Sequence, residues 1–259
     1  MAGKTILITG ASSGFGAAAA RLLAEGENRL VLASRRIELL ATLAAELSGR
    51  VPVHCLPLDV RQREAVEAAL NGLPAGFNEI DLLVNNAGLA LGLEPAQQAS
   101  LDDWETMIDT NIKGLTYMTR CLLPGMVARN RGHIINIGST AGAWPYAGGN
   151  VYGGTKAFVE QFSRNLRTDL LGTMVRVTCI APGMAETEFS QVRFKGDQQK
   201  AGKVYEGCQP LTADDVAGII KWVSDQPAHV NVNHLEVMSI HQAWGPLAVH
   251  RAVPCGGCV

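Results

Sequence analysis

Short runs rich in β-branched residues and leucine alternate with helical patterns from one end of this chain to the other. The runs Thr5–Thr9, Arg29–Ala33, Val51–Leu56, Asp81–Val84, His133–Ile137, Met174–Ile180 and Leu235–Met238 read as strands. Between them, Gly14–Glu25, Ile37–Leu47, Arg61–Leu70, Leu101–Met126, Val151–Leu171 and Ala213–Ser224 read as helices. Because the strands are almost continuously apolar, both faces of their sheet must be buried. Helices lying between successive strands supply that cover when the strands run parallel. The alternation therefore predicts an α/β fold: one doubly wound domain with a seven-stranded parallel sheet flanked by helices on both faces.

The 259 residues, 47% hydrophobic and 18% charged, are enough for one large buried core. No Pro/Ser linker, break in composition or tandem repeat divides them. We expect a single domain over residues 1–251, followed by a flexible tail over 252–259. A polar, glycine-containing segment at about 185–209 interrupts the βα alternation. Loops at the carboxyl ends of strands build the site in such sheets, so this segment is a candidate lid. A net charge of −2 gives no reason to expect nucleic acid or an anionic membrane as a partner. Met1 is not followed by a basic stretch and apolar run, and no apolar run reaches membrane-spanning length, so a cytoplasmic protein is expected.

Metal chemistry has little support in the pattern. His54, His133, His229, His234, His241 and His250 are scattered without ligand spacing, and no catalytic metal is expected. Cys55, Cys121 and Cys179 lie in apolar contexts and read as buried reduced thiols. Cys255-Gly-Gly-Cys258 has CxxC spacing, but neither a second CxxC nor a histidine pair accompanies it. We read it as part of the tail.

The first strand runs directly into Thr9-Gly10-Ala-Ser12-Ser13-Gly14-Phe15-Gly16 and then an alanine-rich helix. Glycines let the backbone turn sharply and approach a pyrophosphate, whose charge is favoured at a helix N-terminus. In this strand–loop–helix setting the loop from Gly10 to Gly16 reads as a dinucleotide cradle in a Rossmann-type fold. At the end of the second strand an Asp or Glu would bind a ribose 2′-hydroxyl and repel a 2′-phosphate. Here Ser34-Arg35-Arg36 supplies a hydroxyl and two guanidinium groups, which suit a phosphate dianion and favour NADP. Glu38, one turn on, argues the other way, and a solvated basic pair is the alternative reading of Arg35 and Arg36. Asp59-Val60 follows the third strand, where an Asp can meet the adenine, and Asn86-Ala87-Gly88 ends the fourth, where small residues admit a cofactor.

Tyr152 and Lys156 are spaced i, i+4 in a helical pattern, which puts both on one face. An ammonium there favours the phenolate; bringing a tyrosine from about 10 to neutrality takes roughly 4 kcal/mol. The pair reads as a proton-transfer device, with Ser139 as its companion, although such a pair alone is also a common solvated surface feature.

Taken together, Thr9-Gly10-x-x-x-Gly14-x-Gly16, Asn85-Asn86-Ala87-Gly88, Asn111, Ser139, Tyr152-x-x-x-Lys156 and Pro182-Gly183 resemble the short-chain dehydrogenase/reductases along essentially the whole chain. The resemblance implies a tetrad. Tyr152 is then the general acid/base, Ser139 hydrogen-bonds the substrate oxygen, and Lys156 lowers the tyrosine pKa and holds the nicotinamide ribose. Asn111 kinks its helix and anchors a relay water, and Thr187, after Pro182-Gly183, contacts the nicotinamide carboxamide. A homotetramer built on Leu101–Met126 and Val151–Leu171 is implied as well.

Trp104–Asn111, Ala143–Asn150, Thr187–Gly196 and Pro227–Asn231 are similar to the NADP-dependent 3-hydroxy acid dehydrogenases. That group includes enzymes described as serine 3-dehydrogenase, L-allo-threonine dehydrogenase and malonic semialdehyde reductase. The link from Pro182-Gly183 to Thr187 is one residue shorter than the group's pattern. The implied substrate is a small hydroxy acid or semialdehyde, and a small carboxylate needs a cation. Arg193, in the candidate lid, is that cation or else a surface arginine. Tyr146 and Trp144 line the pocket or simply pack, while Met184 and Phe189 read as pocket wall or core. A 3-oxoacyl thioester reductase and a sulfonated-aldehyde reductase are alternatives within the same chemistry; a catalytically silent NADP-binding protein is the alternative outside it.

Overall fold

A computed structural model describes residues 3–245 of the chain. The tail residues Cys255 and Cys258, and with them the expectation of a flexible tail, lie outside the described residues. The strands are β1 (Thr5–Thr9), β2 (Arg29–Ser34), β3 (Val53–Pro57), β4 (Leu82–Asn85), β5 (Gly132–Ile137), β6 (Val175–Pro182) and β7 (His234–Val237). They form one seven-stranded sheet in the order β3-β2-β1-β4-β5-β6-β7, with every pairing parallel. The chain moves outward from β1 in one direction, then returns to place β4 on its other side. That reversal opens a crevice at the carboxyl ends of β1 and β4.

Alternation along the central strands divides the core into two layers. On one face Ile6, Ile8, Leu30 and Leu32 pack with residues of α1 (Gly14–Leu23), α2 (Ile37–Leu47) and α9 (Ala213–Ser224). On the other, Leu7, Val31 and Ile134 pack with residues of α3 (Arg63–Asn71), α5 (Leu115–Ala128) and α6 (Asn150–Asp169). The predicted doubly wound architecture is the one observed. Local chemistry sets several ends. Thr212 and Asp215 form a reciprocal capping box that starts α9. At the other end of α9, half-buried Arg176 donates to the carbonyls of Val223, Ser224, Gln226 and Val230.

Two segments differ from the sequence reading. The predicted helix 101–126 is α4 (Leu101–Ile108) and α5, joined by a π-helical turn over Asp109–Gly114. The segment at 185–209 is not an irregular loop. It carries α7 (Glu188–Arg193) and α8 (Gln198–Lys203), and its ends are drawn together by a parallel bridge between Ala185 and Leu211. Among the described residues no helix is long and apolar enough to cross a membrane, and no cluster of three potential metal ligands occurs.

Candidate active site

The crevice above β1 and β4 is lined by backbone wherever a side chain would intrude. Gly10 and Gly14 have φ of +65° and +51°, the left-handed region that glycine enters without strain. A Cβ on Gly16 would lie 2.5 Å from the Gly10 carbonyl oxygen and 2.6 Å from Asn86 Nδ2. Asn86 draws β4 onto this loop: its Nδ2 donates to the carbonyls of Thr9 at 2.9 Å and Gly10 at 3.2 Å. The Thr9 hydroxyl in turn accepts from the amides of Asn86 and Ala87, each at 3.0 Å. Asn86 is thus the buttress of the glycine loop. Ser13 precedes α1 without capping it by its side chain. A tight loop of this kind feeding the start of a ten-residue helix fits the pyrophosphate of a dinucleotide.

The residues expected at the adenosine end are distributed differently from one another. Arg36 lies over the glycine loop, donating from Nε to Ser12 Oγ at 3.0 Å and from Nη1 to Glu188 at 2.9 Å, with Nη2 on Ser13 Oγ. The Ser34 hydroxyl donates to Ser12 Oγ at 2.9 Å. Arg35 is exposed beside this group and near enough to Asp59 to act on its carboxylate. Asp59 is held in an ion pair with Arg61. Arg61 grips both of its oxygens, at 2.6 to 3.1 Å, and holds its carboxyl below the ordinary range. Val60 packs against Gly114 of the π turn, where a Cβ would come within 2.6 Å of its methyl.

At the other end of the crevice α6 brings Tyr152 and Lys156 inward, 8% and 7% exposed. Ser139 begins a short 3-10 turn after β5, its hydroxyl accepting from the Ala141 amide at 3.1 Å. Ser139 lies near enough to Tyr152 to favour its ionised form. Asn111 sits in the π turn, as such turns often mark functional positions. Its Nδ2 donates to Leu89 O at 2.8 Å and Thr155 Oγ1 at 3.0 Å, and its Oδ1 accepts from the Leu89 amide at 2.9 Å. The kink expected at Asn111 therefore takes the form of a π turn, and the side chain ties the loop after β4 to α6. Gly88 separates Asn111 from Lys156: a Cβ there would be 3.3 Å from one and 3.4 Å from the other. The four residues of the tetrad are brought together.

The Lys156 ammonium is engaged by the main chain as well as lying beside the Tyr152 ring. It donates to the Ile137 carbonyl at 2.8 Å and lies 5.9 Å from the centre of the Tyr152 ring. Burial is the largest influence on both groups. It pushes Tyr152 up to about 12, against the opposing pull of Ser139 and Arg193, and it draws Lys156 down to about 8.

The segment after β6 closes the site. Pro182 ends the strand and the Gly183 amide donates to Val237 O at 2.7 Å. Thr187 caps α7, its hydroxyl accepting from the Phe189 amide, and its side chain rests against Gly14. Phe189 packs on Tyr152 with ring centres 5.7 Å apart. Arg193 lies over the same ring at 5.5 Å, donating to the Tyr146 hydroxyl at 2.7 Å and to Gly92 O at 3.2 Å. Arg193 and Tyr146 are thus brought to Tyr152, while Trp144 turns its indole to Glu236. Glu188, Thr155 and Leu89 joined the site without a signal in the sequence, since each acts through a partner distant in the chain.

A family model for the short chain dehydrogenases matches residues 4–198. The NADP-dependent 3-hydroxy acid dehydrogenase YdfG of Salmonella typhi is 60% identical over 248 residues, covering 95% of this chain and 99% of its own. Sulfoacetaldehyde reductase 2 of Chromohalobacter salexigens is 55% identical, covering 95% and 98%. The solved closed form of serine dehydrogenase complexed with NADP+ is similar at a TM-score of 0.92 and 58% identity, covering 95% of this chain and 99% of that one.

Proposed function

Since this chain belongs to the short chain dehydrogenase family, we propose that it is an NADP-dependent oxidoreductase of small 3-hydroxy acids. The substrates we assign are serine, allo-threonine and the pair 3-hydroxypropionate/malonic semialdehyde, oxidised or reduced at C3. The observation that carries this reading is Arg193, a cation held 5.5 Å over the ring of a buried tyrosine.

The loop Gly10–Gly16, Gly88, Lys156, Pro182, Gly183 and Thr187 would hold the dinucleotide, with Arg36 and Arg35 at its 2′-phosphate. When bound, NADP supplies the C4 that gives or takes hydride, and its oxidised ring adds a positive charge that favours phenolate. Tyr152 donates a proton to the carbonyl oxygen on reduction and takes it from the hydroxyl on oxidation. Ser139 hydrogen-bonds that oxygen, and Lys156 would hold the nicotinamide ribose. Asn111 keeps the loop at Gly88 and Leu89 in register with α6. Arg193 clamps the substrate carboxylate in two places, oriented by Tyr146. Oxidised serine or allo-threonine is a β-keto acid, which loses carbon dioxide without further help from the enzyme.

Removal of a charge-assisted pair to a substrate carboxylate costs about 1.5–3 kcal/mol, or roughly 10- to 100-fold. Arg193→Ala should therefore raise KM for malonic semialdehyde by about that factor and leave KM for a neutral aldehyde of similar size nearly unchanged. Equal effects on the two substrates would remove the clamp. A second reading has specific support. The guanidinium of Arg193 suits a sulfonate as well as a carboxylate, and a relative 55% identical bears the name sulfoacetaldehyde reductase 2. Initial rates with sulfoacetaldehyde beside malonic semialdehyde separate the two.

We also propose a single catalytic domain and a homotetramer in the cytoplasm. Phe158 and Phe162 stack on α6 with ring centres 5.7 Å apart, and Phe158 is exposed, which suits a helix-to-helix interface.

A further inference from the structure

We propose that Glu188 competes with the 2′-phosphate of the cofactor for Arg36, so that filling the phosphate pocket unlatches the substrate segment. The inference rests on the NADP reading given above. Arg36 extends from the end of β2, at the adenosine side of the crevice, and Glu188 is the first residue of α7, at the substrate side. Their ion pair, 2.9 Å between Arg36 Nη1 and Glu188 Oε2, joins residues 152 apart in the chain. It ties the two ends of the site together across the glycine loop. Ser13 also lies near enough to Glu188 to favour its carboxylate. A carboxylate therefore occupies a guanidinium and a hydroxyl that are suited to phosphate oxygens.

Partial burial pushes the Glu188 carboxyl up, but Ser13 and Arg36 together outweigh it and hold the group below its ordinary value. At neutral pH it is an anion. A phosphate dianion beside Arg36 draws the guanidinium more strongly than a single carboxylate does, and the two anions repel each other if both stay. The pair is also exposed enough to be broken, at 45% and 47% for the two side chains. The same segment carries Phe189 and Arg193 against Tyr152, so release of Glu188 at one end loosens the groups that cover the site at the other. NADH lacks the phosphate and leaves the pair intact.

Dissociation constants for NADPH and NADH, measured by fluorescence titration on wild type, E188Q, R36A and the double variant, test this. E188Q should bind NADPH about three- to fivefold tighter, the range an exposed ion pair can carry, with NADH unchanged. The gain should vanish in the R36A background. Without nucleotide, residues 188–193 of E188Q should exchange amide hydrogens faster than in wild type. NADPH affinity that is unchanged or weakened in E188Q, or equal shifts for both cofactors, overturns the competition; unchanged amide exchange overturns the latch. If R36A weakens NADPH selectively while E188Q is inert, only this inference fails. If R36A keeps the full preference for NADPH, the assignment of Arg36 to the cofactor phosphate fails with it.

Discussion

Replacing Tyr152 with phenylalanine lowers kcat about 10²- to 10⁴-fold, the range supplied by a positioned general acid/base, and leaves NADPH affinity within about twofold. The substitution removes one oxygen. The ring stays in its bed against Phe189, and the Ile137 carbonyl keeps its bond from Lys156. What is lost is the proton donor beside Ser139. The wild type should show the same group in its pH dependence. Burial pushes Tyr152 up to about 12, so at neutral pH the acid form predominates. Reduction, which uses the acid form, should be flat from about pH 6 to 8. Oxidation, which needs the base form, should climb with a slope approaching tenfold per unit as pH rises toward the group's pKa. Initial rates in both directions check this, and in Tyr152→Phe the residual oxidation rate should lose the climb.

Placing a methyl group on Gly16 is expected to cost nearly as much by a different route. The added Cβ of Gly16→Ala would stand 2.5 Å from the Gly10 carbonyl oxygen, 2.6 Å from Asn86 Nδ2 and 3.0 Å from Ala11 Cα. Two of those three neighbours are backbone, and Asn86 is pinned by its bonds to Thr9 and Gly10, so none can give way cheaply. The loop must shift away from α1, and the cradle loses its shape. We expect NADPH affinity to fall about 100-fold and stability by about 1–3 kcal/mol, the usual cost of overpacking a fitted site. Titration with NADPH and urea unfolding measure the two effects. Gly14→Ala is the useful contrast. Its Cβ would meet only Thr187 at 3.6 Å, an ordinary contact, so the φ of +51° is its main cost.

Where the sequence could be read, the reason was that a constraint lay close along the chain. Apolar strands alternating with helices require a parallel sheet covered on both faces, and that layering is observed. The glycine loop was legible because backbone geometry there excludes side chains. Tyr152 and Lys156 were legible because one helix fixes their spacing. The π turn at Asp109–Gly114 was anticipated only as a kink at Asn111; its form escaped because one extra residue per turn hardly disturbs the apolar pattern. The direction of the Lys156 ammonium escaped because its partner is a main-chain carbonyl on β5. The ion pair of Asp59 with Arg61, two residues on, escaped because only the loop's actual fold brings the two groups together. Glu188 and Arg36 could not be paired from a sequence separation of 152.

The central claim is hydride transfer between the nicotinamide and C3 of a small 3-hydroxy acid, and deuterium follows it directly. NADPH carrying deuterium at both hydrogen positions of nicotinamide C4 is consumed with malonic semialdehyde, and the product is read by NMR. The expected result is 3-hydroxypropionate with one deuterium on C3 for each NADPH oxidised. A product without deuterium at C3 while NADPH disappears, or no consumption of NADPH with this or any other small 3-oxo acid, contradicts the account.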